Sequence, residues 1–141
     1  RADFVDTAAN DFQRLLHRPL VGRGFLGGTL PDPATLPESD YRKHDPRLQG
    51  ENYQRNLRLL AAVNRMAAVR DATPAQIALA WLLAKGNDVV PIPGTKRRRY
   101  LEENVGATTL TLSAAELSEL DALGTAAGPR YTERALSMIE R

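Results

Sequence analysis

Residues 73–107 read TPAQIALAWLLAKGNDVVPIPGTKRRRYLEENVGA, and this stretch decides the fold class. It opens with a cap (Thr73), a proline at the first helical position (Pro74), and Gln76, which completes a capping box. From Ile77 to Leu83 hardly any polar residue interrupts the apolar ones, which predicts a helix buried on most sides and stopped by Gly86. Asp88–Pro93 is a short apolar run with Val89, Val90 and Ile92 as strand candidates, ended abruptly by its prolines. Gly94 and Thr95 form a turn, and a helix is expected over 97–105, stopped by Gly106. A short strand between helices belongs to a parallel α/β layer. One or two strands cannot make a sheet alone, so the pattern predicts part of a larger α/β fold.

The flanks extend this reading. Asn52–Arg70 predicts a helix with Leu57, Leu60, Ala61, Met66 and Ala67 on its buried side. Ser113 and Glu116 form a second capping box, ahead of an amphipathic helix with Leu117, Leu120 and Leu123. A helical turn is expected around Ala135–Ile139. Composition changes near residue 50. Pro31, Pro33, Pro37 and Pro46 break regular structure between Thr29 and Gly50, which predicts an irregular surface excursion. Further upstream, Phe4 and Val5 are candidates for a short strand, Phe12, Leu15 and Leu16 for a short amphipathic helix, and Pro19–Gly28 (PLVGRGFLGG) for a glycine-rich loop.

Composition excludes several classes of function. The 141 residues are 43% hydrophobic and 26% charged, values of a globular chain. Nineteen Lys and Arg against seventeen Asp and Glu leave a formal charge of +2, so no global field for nucleic acid or membrane is implied. The absence of cysteine removes disulfides, thiolate metal sites and thiol nucleophiles, and fits a reducing compartment. No apolar run reaches the ~20 residues that span a bilayer. A cytoplasmic protein without membrane or nucleic-acid partners is expected.

The chemistry concentrates at Lys96, Arg97, Arg98 and Arg99. Cations at a helix N-terminus oppose the helix dipole, so four in a row there point to an anion that offsets them. Backbone N–H groups and basic side chains would converge on one phosphate. On the charges alone a solvated basic face at a helix end is the favoured reading, since charge runs are usually solvated. A nucleic-acid patch is a third, disfavoured by the balanced charge and by Tyr100 being the only aromatic nearby. His17 and His44 have no further ligands at metal spacing and read as surface residues; Trp81 reads as core.

Pro91–Ala107 resembles the cofactor segment of the aldo-keto reductases. Thr73–Lys96 is similar to that family's preceding helix, strand and loop, Arg47–Val63 to the excursion and helix before them, and Pro19–Leu26 (PLVGRGFL) to the loop after the seventh barrel strand. In that loop Arg18 stands where the family has serine, and Val21 is an insertion. The resemblance implies a (β/α)8 barrel of which residues 19–141 form the last strands and helices. A partial TIM barrel of two to four strands is expected, with 1–18 as a divergent N-terminal segment.

The resemblance also implies NADPH as cofactor and a small aldehyde or ketone as substrate. Gly94 and Thr95 would bring backbone to the adenosine phosphate, and Lys96 and Arg97 would hold the 2′-phosphate. Tyr100 stands where the family often has a cation or polar group against the adenine, Glu103 and Asn104 would bond its edge, and Leu20, Gly22 and Arg23 would line the pyrophosphate. Of the family's catalytic Tyr, Lys, Asp and His, only the aspartate finds a match: Asp6 in Phe4-Val5-Asp6-Thr7-Ala8, with Asp11 where the tyrosine is expected. A fragment with an incomplete catalytic set is the expectation. A non-catalytic NADP(H)-binding module completed by a partner chain is the alternative, since an open barrel edge invites oligomerisation.

Overall fold

The computed structural model describes residues 32–129. The expected strand at Phe4 and Val5, the helix at Phe12 to Leu16, the Pro19–Gly28 loop, the Ala135–Ile139 turn and His17 lie outside them. Four α-helices carry the described residues: α1 (Gly50–Val69), α2 (Pro74–Leu83), α3 (Arg98–Gly106) and α4 (Ala114–Ala122). A 3-10 turn, Ala107–Thr109, continues α3 directly.

Helix α2 lies at the centre, against α1 on one side and α3 with its 3-10 turn on another. It begins where the sequence demands. Thr73 accepts from the Gln76 amide at 3.2 Å, and the Gln76 side chain accepts from the Thr73 amide at 2.9 Å. Seven of its ten residues are buried, and Ile77 is fully inaccessible, a burial that contributes about 2 kcal/mol. The core joins Val63, Met66 and Ala67 of α1 to Ile77, Leu79, Ala80, Trp81 and Leu82 of α2, with Ala107 and Leu112 closing one end. Leu117 and Leu120 of α4, with Leu123 just beyond it, pack over this cluster.

Three expectations need correction. Val89, Val90 and Ile92 form no strand: residues 89–95 belong to neither helix nor sheet, and no strand occurs among the described residues. A strand exists only by pairing with another, and no described segment pairs with this one. On α1 the buried side is Asn56, Leu60, Ala62, Val63, Met66 and Ala67; Ala61 is exposed and Leu57 half-buried. The stripe 56–60–63–67 follows the helical period through a polar residue. The glycines do not end the helices as expected. Helix α2 stops at Leu83, ahead of Gly86. Helix α3 runs through Gly106, where a Cβ would come within 2.7 Å of the Gln76 amide nitrogen, so the requirement there is close helix approach.

The excursion is more regular than its prolines suggest. It is built of three 3-10 turns: Pro33–Thr35, Tyr41–His44 and Pro46–Leu48. Each is capped by an aspartate whose carboxylate accepts from the amide two residues on: Asp32 from Ala34, Asp40 from Arg42, Asp45 from Arg47, at 2.9–3.0 Å. Arg42 also grips Asp40 through Nε and Nη2, which holds that carboxyl below its ordinary 3.8. Leu48 is buried at the end of the run.

Candidate functional site

The turn from Gly94 to Arg97 and the first turn of α3 place the cationic cluster. Thr95 Oγ1 accepts from the Arg97 amide at 3.1 Å, which bends the chain into the helix. The helix begins with the amides of Arg98 and Arg99, no side chain caps it, and its first turn holds no acidic residue. Lys96, Arg97, Arg98 and Arg99 are all exposed. Arg98 pairs with Glu102 one turn along at 2.9 Å, a solvent-screened contact of small value. Lys96, Arg97 and Arg99 make no ion pair among the described residues. A Cβ on Gly94 would meet nothing within 4 Å, so packing among these residues does not require glycine there. Uncapped amides, three cations without a carboxylate partner among the described residues and an open glycine can hold an anion.

The remaining residues of the segment divide. Tyr100 is exposed, and the Arg97 guanidinium carbon lies 5.8 Å from its ring centroid, within cation–π range. Asn104 is half-buried, and its side chain makes no hydrogen bond among the described residues. Glu103 is engaged inside the protein: its Oε1 accepts from Thr73 Oγ1 at 2.8 Å, and its carbonyl accepts from Gln76 Nε2 at 2.9 Å. The sequence reading missed this link, although the TPAQ motif that supplies both partners was plain. Asp6, Leu20, Gly22 and Arg23 lie outside the described residues.

Outside this segment the polar chemistry is structural. His44 is exposed, 3.7 Å from Glu38. Trp81 is buried as expected and donates from its indole N–H to Asp121 at 2.8 Å, while Lys85 pairs with the same carboxylate and stacks 4.2 Å from the ring centroid. No group of three or more His, Cys, Asp or Glu that could hold a metal occurs among the described residues. No described helix is long and apolar enough to cross a membrane.

The model of the Aldo/keto reductase family matches residues 9–125. This chain belongs to that family. As an aldo-keto reductase it is 47% identical over 111 residues to "Aldo-keto reductase yakc" of Schizosaccharomyces pombe, whose name carries NADP(+); the match covers 79% of this chain and 32% of that protein. It is 41% identical over 114 residues to "Probable aldo-keto reductase 1" of Glycine max, covering 79% and 33%. It is 38% identical over 98 residues to "Aldo-keto reductase str7" of Strobilurus tenacellus, covering 70% and 29%. The chain thus spans about a third of the length of the curated relatives it matches. The family implies a (β/α)8 barrel; the described residues of this aldo-keto reductase form helices and connecting turns, with no strand among them.

Proposed function

We propose that this chain contributes the nucleotide-phosphate side of an NADPH-dependent carbonyl reductase site, with an aldehyde or ketone as substrate. One observation carries the reading: Lys96, Arg97 and Arg99 have no carboxylate partner among the described residues and stand at an uncapped helix start, beside an open glycine. This donor set suits a phosphorylated dinucleotide, and a relative of high identity has NADP(+) in its name. When bound, the cofactor supplies the hydride for carbonyl reduction.

The chain's own residues bind and orient. Lys96 and Arg97 neutralise a 2′-phosphate, which selects NADPH over NADH. Gly94 and Thr95 let backbone approach it. Tyr100 offers a ring face to the base, Asn104 a free amide, and Glu103 its second carboxylate oxygen. Leu20, Gly22 and Arg23 line the pyrophosphate, and Asp6 takes the place of the family's catalytic aspartate, whose lysine partner finds no match in these 141 residues. The cysteine-free composition suits the cytoplasm.

The test is a fluorescence titration with NADPH and NADH. Binding of NADPH tighter by about tenfold or more, abolished as a preference in the Lys96→Ala, Arg97→Ala double variant, supports the reading. Equal affinity for both, or none, overturns it.

A second reading, a cofactor-binding module completed by a partner chain, is favoured by Val90 and Ile92, which are 77% and 70% exposed with no sheet partner among the described residues. Sedimentation tests it: a monomer at all concentrations removes its support.

A further inference from the structure

The link between Thr73 and Glu103 assigns a task to a residue outside the cationic segment. The two are 30 positions apart, on the cap of α2 and in the body of α3. A threonine hydroxyl has one proton and two lone pairs. Thr73 uses both functions: it accepts from the Gln76 amide, which caps α2, and it donates to Glu103 Oε1, which docks α3. Gln76 is engaged in the same way, accepting from the Thr73 amide and donating to the Glu103 carbonyl. Gly106, one turn along, leaves the room that Gln76 needs. The start of α2 is therefore a socket for residue 103.

Helix α3 depends on such a socket. It has nine residues, none of them buried, and its first turn carries like charges against the positive end of its own dipole. Its fixed points are Glu103 and the turn that follows, where Ala107 is buried. We propose that Thr73 is a positioning residue for the nucleotide site. Through Glu103 it fixes the helix that carries Arg98, Arg99 and Tyr100, and by engaging Oε1 it leaves Oε2 for a ligand. The role in nucleotide binding rests on the reading of 94–104 proposed above.

The experiment compares Thr73→Ser and Thr73→Gly in the whole chain. Serine keeps both functions of the hydroxyl. Glycine is tolerated at a helix cap nearly as well as threonine but has no proton to give Glu103. The probe is 2′-phospho-ADP-ribose, followed by calorimetry, with amide hydrogen exchange read in parallel. The expected result is serine within about twofold of the unsubstituted chain and glycine weaker by about tenfold, the worth of one charge-assisted hydrogen bond. Exchange in the glycine variant should rise over 98–106 and stay low over 74–83. Unchanged affinity in the glycine variant, or a rise shared equally by both helices, overturns the proposal. If the unsubstituted chain binds no probe, the nucleotide reading and the role built on it fall, and the exchange pattern still decides whether Thr73 docks α3.

Discussion

Asn56 and Ala127, 71 residues apart, exchange two hydrogen bonds: Asn56 Oδ1 accepts from the Ala127 amide at 2.8 Å, and Asn56 Nδ2 donates to the Ala127 carbonyl at 3.0 Å. The side-chain amide thus imitates a paired backbone unit. Its second proton goes to the Arg47 carbonyl at 2.8 Å, and Asn56 is 1% exposed. Arg47 Nε reaches the Gly128 carbonyl at 3.3 Å, and Asn52 binds the Pro46 carbonyl at 3.1 Å. Gly128 closes the junction at φ +91°, where a side chain would be strained and would meet Asn52. One buried residue of α1 therefore ties the excursion to the segment after α4.

Replacing Asn56 by Leu should be among the costliest single changes in the described residues. Leucine repeats the branched shape of the amide but is larger, so it crowds a buried site while the Ala127 amide and two carbonyls lose their partner. The expected loss is about 2–4 kcal/mol. Urea unfolding measures it, and a loss under about 1 kcal/mol would show that water replaces the clamp.

The start of α4 should loosen in acid. The Glu116 carboxyl lies below its ordinary value of 4.5 because the Ser113 amide and hydroxyl donate to it, with Arg70 adding a smaller attraction. A depressed carboxylate contributes its stability above the unfolded value and loses it as pH falls through the folded one. Amide exchange at 114–117 should therefore rise below pH 4.5. Ser113→Ala should cost about 1 kcal/mol and return the Glu116 titration, followed by NMR, toward 4.5.

Asp121 should report through Trp81, the single tryptophan of the chain. Asp121→Ala removes the acceptor of the indole N–H and the partner of Lys85. The emission should shift to the red as the ring gains access to water, with a stability loss of about 1–2 kcal/mol. An unmoved emission maximum would show that apolar packing alone seats the ring.

Salt should separate the two cofactors. The contacts of Lys96 and Arg97 are exposed and screened, so NADPH affinity should fall steeply between low and physiological ionic strength while NADH affinity changes little. Parallel slopes would place the 2′-phosphate away from these cations.

What the sequence revealed follows from how local each signal is. The capping boxes at Thr73 and Ser113 and the burial of Trp81 depend on neighbours within a helical turn, and all were legible. Ala61 was misplaced because alanine gives little contrast between faces. Asn56 was invisible because a polar residue reads as surface until its position on the stripe through Leu60, Val63 and Ala67 is weighed. The same holds for Glu103, whose partners come from another helix. Val89 to Ile92 have strand composition, but pairing is a property of two segments, and one segment cannot announce its neighbour. The cationic cluster was plain from its letters, whereas the lack of carboxylate partners for Lys96, Arg97 and Arg99 among the described residues needed the fold.

The exposure of Lys96 to Arg99 has a practical consequence. Four successive trypsin sites stand at the junction of an irregular segment and a short, shallowly docked helix, where a protease can draw the backbone into extended form. A nucleotide resting on these side chains would cover the bonds that trypsin cuts. The rate of nicking against ligand concentration then becomes a label-free binding curve, read from a gel, with the cleavage site itself reporting where the ligand lies.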